Sequence, residues 1–96
     1  MITVKQTSHS DPLEFDVAIS DRRGETRHHV TMSQADTERL TRGSCPPDHC
    51  IEAAFRFLLD REPKEAILSH FDVKVISRYF PEFEAKLPDY IAGKTV

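Results

Sequence analysis

Only two cysteines, three glycines and no long apolar run occur in this chain of 96 residues, and each shortage removes a class of protein. Two thiols cannot build a secreted disulfide framework, and a domain of this size can form a core without one. Three dispersed glycines supply no glycine-rich phosphate loop. No apolar stretch approaches the roughly 20 residues that a membrane-spanning helix needs. The first residues, Met1-Ile2-Thr3-Val4-Lys5-Gln6, lack the charged, apolar and small-residue regions of a secretory signal. A cytoplasmic location with no membrane partner is therefore expected. Positive charge is also short, with a formal net charge of −3, which argues against a dedicated nucleic-acid binder.

What is present fits one soluble domain over residues 1–96, since 39% of residues are hydrophobic and 30% charged. Leu13, Phe15, Val17 and Ile19 alternate with Glu14, Asp16 and Ala18, the period of a half-buried strand. Asp21-Arg22-Arg23-Gly24 reads as a turn, and alternation resumes from Thr26 to Met32, completing a β-hairpin. Ile2 to Gln6 can add a third, edge strand, joined by the polar loop Thr7 to Pro12. A hairpin alone is marginal in water, so its apolar face must meet helices, another strand or a second copy of the chain.

Ser33 has the chemistry of an N-cap for a short helix over Gln34 to Thr41, ending at Gly43. A longer helix is expected from Asp48 to Arg61. Its stripe of Ile51, Ala54, Phe55, Leu58 and Leu59 is widened by Cys50, Ala53 and Phe57, which marks it as the central helix. Pro63 to His70 reads as another short helix. Asp72 then caps a helix with Val73, Val75, Ile76, Tyr79 and Phe80 on its apolar side, stopped by Pro81. Glu82 to Leu87 adds a last turn, and residues 88–96 read as a frayed tail. The fold class that follows is α+β: an N-terminal antiparallel hairpin or three-stranded sheet packed on three to five short α-helices.

Three constellations carry chemistry on paper. The pair of helices over Lys64 to Phe80 has helix-turn-helix spacing around Ala66, Asp72, Ile76 and Tyr79, which would turn Lys74, Ser77 and Arg78 towards a DNA groove. Against it, His70 stands where a turn glycine is usual. Arg61 to Lys86 also holds five Lys/Arg against five Asp/Glu. Cys45, His49 and Cys50 are weak candidates for a metal, but a zinc site needs about four convergent ligands and no second knuckle exists. His28 and His29, adjacent on a strand, point to opposite faces and cannot share a metal. No catalytic residues, cofactor site or nucleophile elbow emerge.

Arg61-Glu62-Pro63-Lys64-Glu65-Ala66-Ile67-Leu68, with Phe71-Asp72-Val73 and Ile76-Ser77-Arg78-Tyr79-Phe80-Pro81-Glu82-Phe83-Glu84, resembles a family of small uncharacterised bacterial proteins. The resemblance implies a bacterial cytoplasmic protein and assigns no functional residue. The function expected is a non-enzymatic protein-interaction or regulatory module with an unidentified protein partner and a homodimer formed through the hairpin. The alternative is the DNA-binding regulator, and a third reading is a small metal protein or enzyme around Cys45, His49 and Cys50.

Overall fold

The computed structural model describes residues 1–93. In chain order the elements are β1 (Ile2–Ser8), β2 (Leu13–Asp21), β3 (Gly24–Met32), α1 (Gln34–Thr41), α2 (Pro47–Leu59), a 3-10 turn (Lys64–Ala66), β4 (His70–Asp72), α3 (Lys74–Tyr79) and α4 (Phe83–Ile91). The sheet order is β1-β2-β3-β4. The first three strands are antiparallel and β4 runs parallel to β3. The class is α+β, as the alternation and helical stripes require. No helix among the described residues is long and apolar enough to cross a membrane.

Alternation decides which face of the sheet the helices cover. Leu13, Phe15, Val17 and Ile19 of β2 are buried, as are Val30 and Met32 of β3, while Asp16, Arg27 and His70 on the opposite face are exposed. Each large side chain so buried contributes about 1.5–3 kcal/mol. Gly24 holds φ at +126°, a conformation open to glycine, and so closes the turn between β2 and β3. Ser33 Oγ accepts from the Asp36 N–H at 3.0 Å and starts α1. Arg42 (φ 50°) and Gly43 (φ 75°) adopt left-handed conformations that end it.

Helix α2 is the hub. Ile51, Ala54, Phe55 and Leu58 are buried, and so are Cys50, Ala53 and Phe57. Phe57 lies 5.1 Å from the Phe83 ring, 5.7 Å from Tyr90 and 6.0 Å from Phe80, edge-on in each case. The Arg61 guanidinium stands 3.6 Å from its ring centroid, a cation–π contact. Thus α2 is apolar nearly all round because the sheet and the C-terminal helices both pack on it.

Three expectations are corrected. Residues 63–70 are not a helix: after the three-residue 3-10 turn, Ile67 is extended (φ −75°, ψ 133°) and the chain enters β4. The reason is tertiary, because the edge of β3 captures the segment. The His29 N–H donates to the Ser69 carbonyl at 2.7 Å and the Val73 N–H to the Thr31 carbonyl at 2.9 Å. His70 is therefore a strand residue and not the end of a helix. The N-cap position of α3 is Val73 rather than Asp72, although the Asp72 carboxylate accepts from the Lys74 N–H at 3.0 Å.

The tail is not frayed through Ile91. α4 continues past Pro88, and Tyr90 Oη donates to Asp60 Oδ2 at 2.5 Å. Arg56 Nη2 donates to the Tyr90 carbonyl at 3.0 Å. These contacts and the burial of Leu87 offset the backbone bond that proline cannot make. The last part of that expectation, residues 94–96, falls outside the described residues.

One buried charge fastens the segment after α2 to the first hairpin. The Lys64 side chain is 3% exposed, and its Nζ pairs with Asp21 Oδ1 at 3.0 Å and with Glu65. The hydrogen bonds from Lys64 hold both carboxyls below their ordinary values, and Glu65 followed by Asp21 raises the lysine. A depressed carboxyl contributes stability above its unfolded pKa and loses it as pH falls through the folded one. Lys64→Met is therefore expected to be less stable than the parent at pH 7 in urea titrations. The difference should shrink below roughly pH 4, and a difference constant from pH 7 to pH 3 would refute the clamp.

Candidate functional site

The fourth strand creates the most chemically distinctive surface. β3 places His28 opposite Val17, on the core face, where it is 4% exposed. Its Nδ1 lies 2.7 Å from the Leu68 carbonyl. A carbonyl only accepts, so Nδ1 donates, and Nε2 is hydrogen-bonded with Thr26 Oγ1 at 2.9 Å. The imidazole stacks at a tilt 5.5 Å from Phe55, whose ring is 5.9 Å from Phe71. With its carbonyl tied inwards, Leu68 remains 47% exposed.

Opposite it stands α3. Ile76 is buried beneath this helix, while Tyr79 is 67% exposed. Between them runs a shallow apolar groove with room for about 30 Å³, floored by Leu58, Ile67, Phe71 and Val75 and rimmed by Leu68 and Tyr79. It is a contact surface rather than a metabolite pocket, since ligand pockets are typically several hundred Å³. Glu62 is the one charged residue lining it. Burial raises the Glu62 carboxyl above its ordinary value. No cation pairs with it among the described residues. The groove thus offers an apolar slot beside an unneutralised acid.

The other face of the sheet is polar and internally satisfied. Register aligns Lys5, Asp16, His29 and His70 in one row across the four strands. His29 Nδ1 lies 3.0 Å from Asp16 Oδ1, and its Nε2 lies 2.9 Å from Glu14 Oε1. Two carboxylates require two N–H donors, so this arrangement favours the imidazolium, and the hydrogen bond to Asp16 foremost raises its pKa. A general base needs a free ring lone pair, and this histidine presents none while both bonds hold. Thr31 Oγ1 donates to Asp72 Oδ2 at 2.7 Å, and Arg27 pairs with Glu25 at 2.8 Å.

The residues singled out from the sequence fall elsewhere. Cys50 is wholly buried on α2, and burial pushes its thiol up to about 12, which disfavours the thiolate that a metal binds. Cys45 is half-buried, its thiol also raised by burial, and His49 Nε2 is hydrogen-bonded to the Ile91 carbonyl at 2.9 Å. Among the described residues no group of three or more His, Cys, Asp or Glu is arranged to hold a metal. Lys74, Ser77 and Arg78 lie on α3, which has six residues and is preceded by a strand, so the helix-turn-helix pair is not formed. Lys74 Nζ stands 3.9 Å from Asp36 Oδ2, on its own protein.

Sequence reasoning put Tyr79 on the apolar side of its helix and Leu68 within a helix over residues 63–70, and neither placement foresees their exposure. Of the apolar residues expected on that helix of Tyr79, only Val75, Ile76 and Tyr79 lie within it, and of these Ile76 alone is buried. No family model, curated protein or solved structure matches the chain.

His29 gives a pH test with a fixed sign. Its pKa in the folded protein is above 6.5, so its contribution is complete below pH 6.5 and is lost as pH rises through the folded value. Urea titrations should show a decline on that rise, worth under about 1 kcal/mol for so accessible a pair. His29→Gln should flatten it, and an unchanged decline in that variant would show that His29 is not its source.

Proposed function

We propose that the protein is a small non-enzymatic interaction module of the cytoplasm, and that it binds a protein segment carrying an apolar side chain next to a lysine or arginine. The observation that carries this reading is the groove itself. Two of the three large apolar side chains left exposed among the described residues, Leu68 and Tyr79, rim one slot. Tyrosine in such a position is a frequent interface hot spot, since it supplies area, a ring face and a polar tip with little entropy to lose. Glu62 then sets polarity: a partner's cation would meet a carboxylate that has no cation partner among the described residues. Interaction through so small a slot gives modest affinity, suited to a regulatory contact rather than a permanent one.

Two further facts support this reading. The most elaborate polar cluster, around His29, has its hydrogen-bonding capacity consumed by Asp16 and Glu14. The cations of α3 offer little to a phosphate backbone when one leans on Asp36 and acids balance the rest.

Selection of peptides from a random displayed library on the purified protein tests the reading. The binders recovered should share a large apolar residue adjacent to Lys or Arg. Their affinity should fall about ten-fold or more with Tyr79→Ser and several-fold with Glu62→Gln. Binders indifferent to both substitutions, or rich in acids, would contradict the proposal.

A further inference from the structure

Both edges of the β2–β3 hairpin are occupied, so the outer edges of the sheet belong to β1 and β4. With only three residues in β4, the seven-residue β1 alone is long enough to template another strand. Its backbone phase can be read from the chain terminus. The Met1 amino group donates to the Ser20 carbonyl at 2.6 Å, and the Ser20 N–H donates to the Met1 carbonyl at 2.9 Å. Opposed pairs in an antiparallel ladder alternate between bonded and non-bonded. Thr3–Ala18 and Lys5–Asp16 are therefore the next bonded pairs. Ile2, Val4 and Gln6 turn their N–H and C=O groups away from β2, and among the described residues no backbone group accepts or donates to them there.

This phase restricts how anything can add to the edge. The regular ladder ends at a register shift between Gln6 and Ser8, leaving Ile2 to Gln6, a segment centred on Val4. We infer that a second copy of this chain pairs antiparallel along β1 with Val4 opposite Val4 of its mate, joining two sheets into one. In that register Ile2 meets Gln6, Val4 meets Val4 and Gln6 meets Ile2. Each such pair exchanges two hydrogen bonds, giving about six in all. A register displaced towards the C-terminus loses one pair and sets Lys5 against Lys5, a like-charge contact that destabilises sheets. A register displaced the other way also loses one pair and sets Thr3 against Thr3. The register centred on Val4 instead puts each Lys5 beside a Thr3 on the outer face and brings the half-buried valines together on the core face.

A lysine on an edge strand commonly discourages chance pairing, and here it selects the register instead. The two-fold axis is perpendicular to the sheet, so both helical layers lie on the same side. The inference is independent of the groove, which stands beside β4 at the other edge.

Sedimentation equilibrium over a range of concentrations tests it with three variants. The parent protein should show a monomer–dimer equilibrium. Thr3→Glu, which faces Lys5 of the mate twice, should tighten the dimer, and Thr3→Lys should weaken it, each by about five- to thirty-fold. Val4→Pro removes an N–H that β2 does not use and should abolish the dimer, with circular dichroism checking that the sheet persists. Thr3 is exposed, so its variants keep the test valid if the proline variant misfolds. A parent that is monomeric at its highest soluble concentration would overturn the inference. So would Thr3 variants that both weaken the dimer or leave it unchanged, or a folded Val4→Pro that dimerises like the parent.

Discussion

The hydrogen bond from His28 to the Leu68 carbonyl is the constraint on which the functional end of this molecule depends. His28 is a polar side chain on a core-facing strand position, and both its ring nitrogens must find partners there. Satisfied, such a bond adds about 0.5–1.5 kcal/mol; left open, the buried group costs about 1–3 kcal/mol. That asymmetry draws residues 67–69 onto β3 in an extended path. The His29 N–H then bonds Ser69, β4 forms, and Phe71 comes to rest against Phe55. Leu68 is left facing outward as a consequence. The groove is thus a by-product of satisfying one buried imidazole.

Packing on one side of a sheet leaves two kinds of unspent bonding capacity. On the β1 edge it is backbone: a row of donors and acceptors that the ladder phase directs away from β2. On the β4 edge it is apolar surface with one acid, because a three-residue strand is too short to cover what α3 and Leu68 expose. The sheet order sets these at opposite edges. A dimer through β1 would therefore carry two outward grooves, and a partner with two suitable segments would gain from effective concentration rather than from new contacts. The polar face between them contributes in another way, since His29, held between two carboxylates, ties β2 to β3.

Much of the scaffold was legible in the sequence, and the reasons are local. Leu13 to Ile19 alternates cleanly, Gly24 marks the turn, Ser33 caps α1, and the broad apolar arc of α2 announces contacts on two sides. Residues 63–70 were illegible because Lys64-Glu65-Ala66-Ile67-Leu68 has the composition of a helix, while its conformation is decided by donors and acceptors on β3, some 40 residues earlier. Pro88 misled for a similar reason: its cost is local, but Arg56, His49 and Asp60 hold the backbone and ring beyond it. The groove lay further from reach, since exposure of Leu68 and Tyr79 follows only from where β4 runs.

The central claim is that the bonding capacity left over by folding is where this protein meets others, and the β1 edge states it most simply. Residue-resolved amide hydrogen exchange at low and high protein concentration measures that edge directly. The amides of Ile2, Val4 and Gln6 should exchange fast in dilute solution and become protected as concentration rises, while those of Thr3 and Lys5, already bonded to β2, stay protected throughout. Equal exchange of Ile2, Val4 and Gln6 at both concentrations, with the sheet intact, would contradict it.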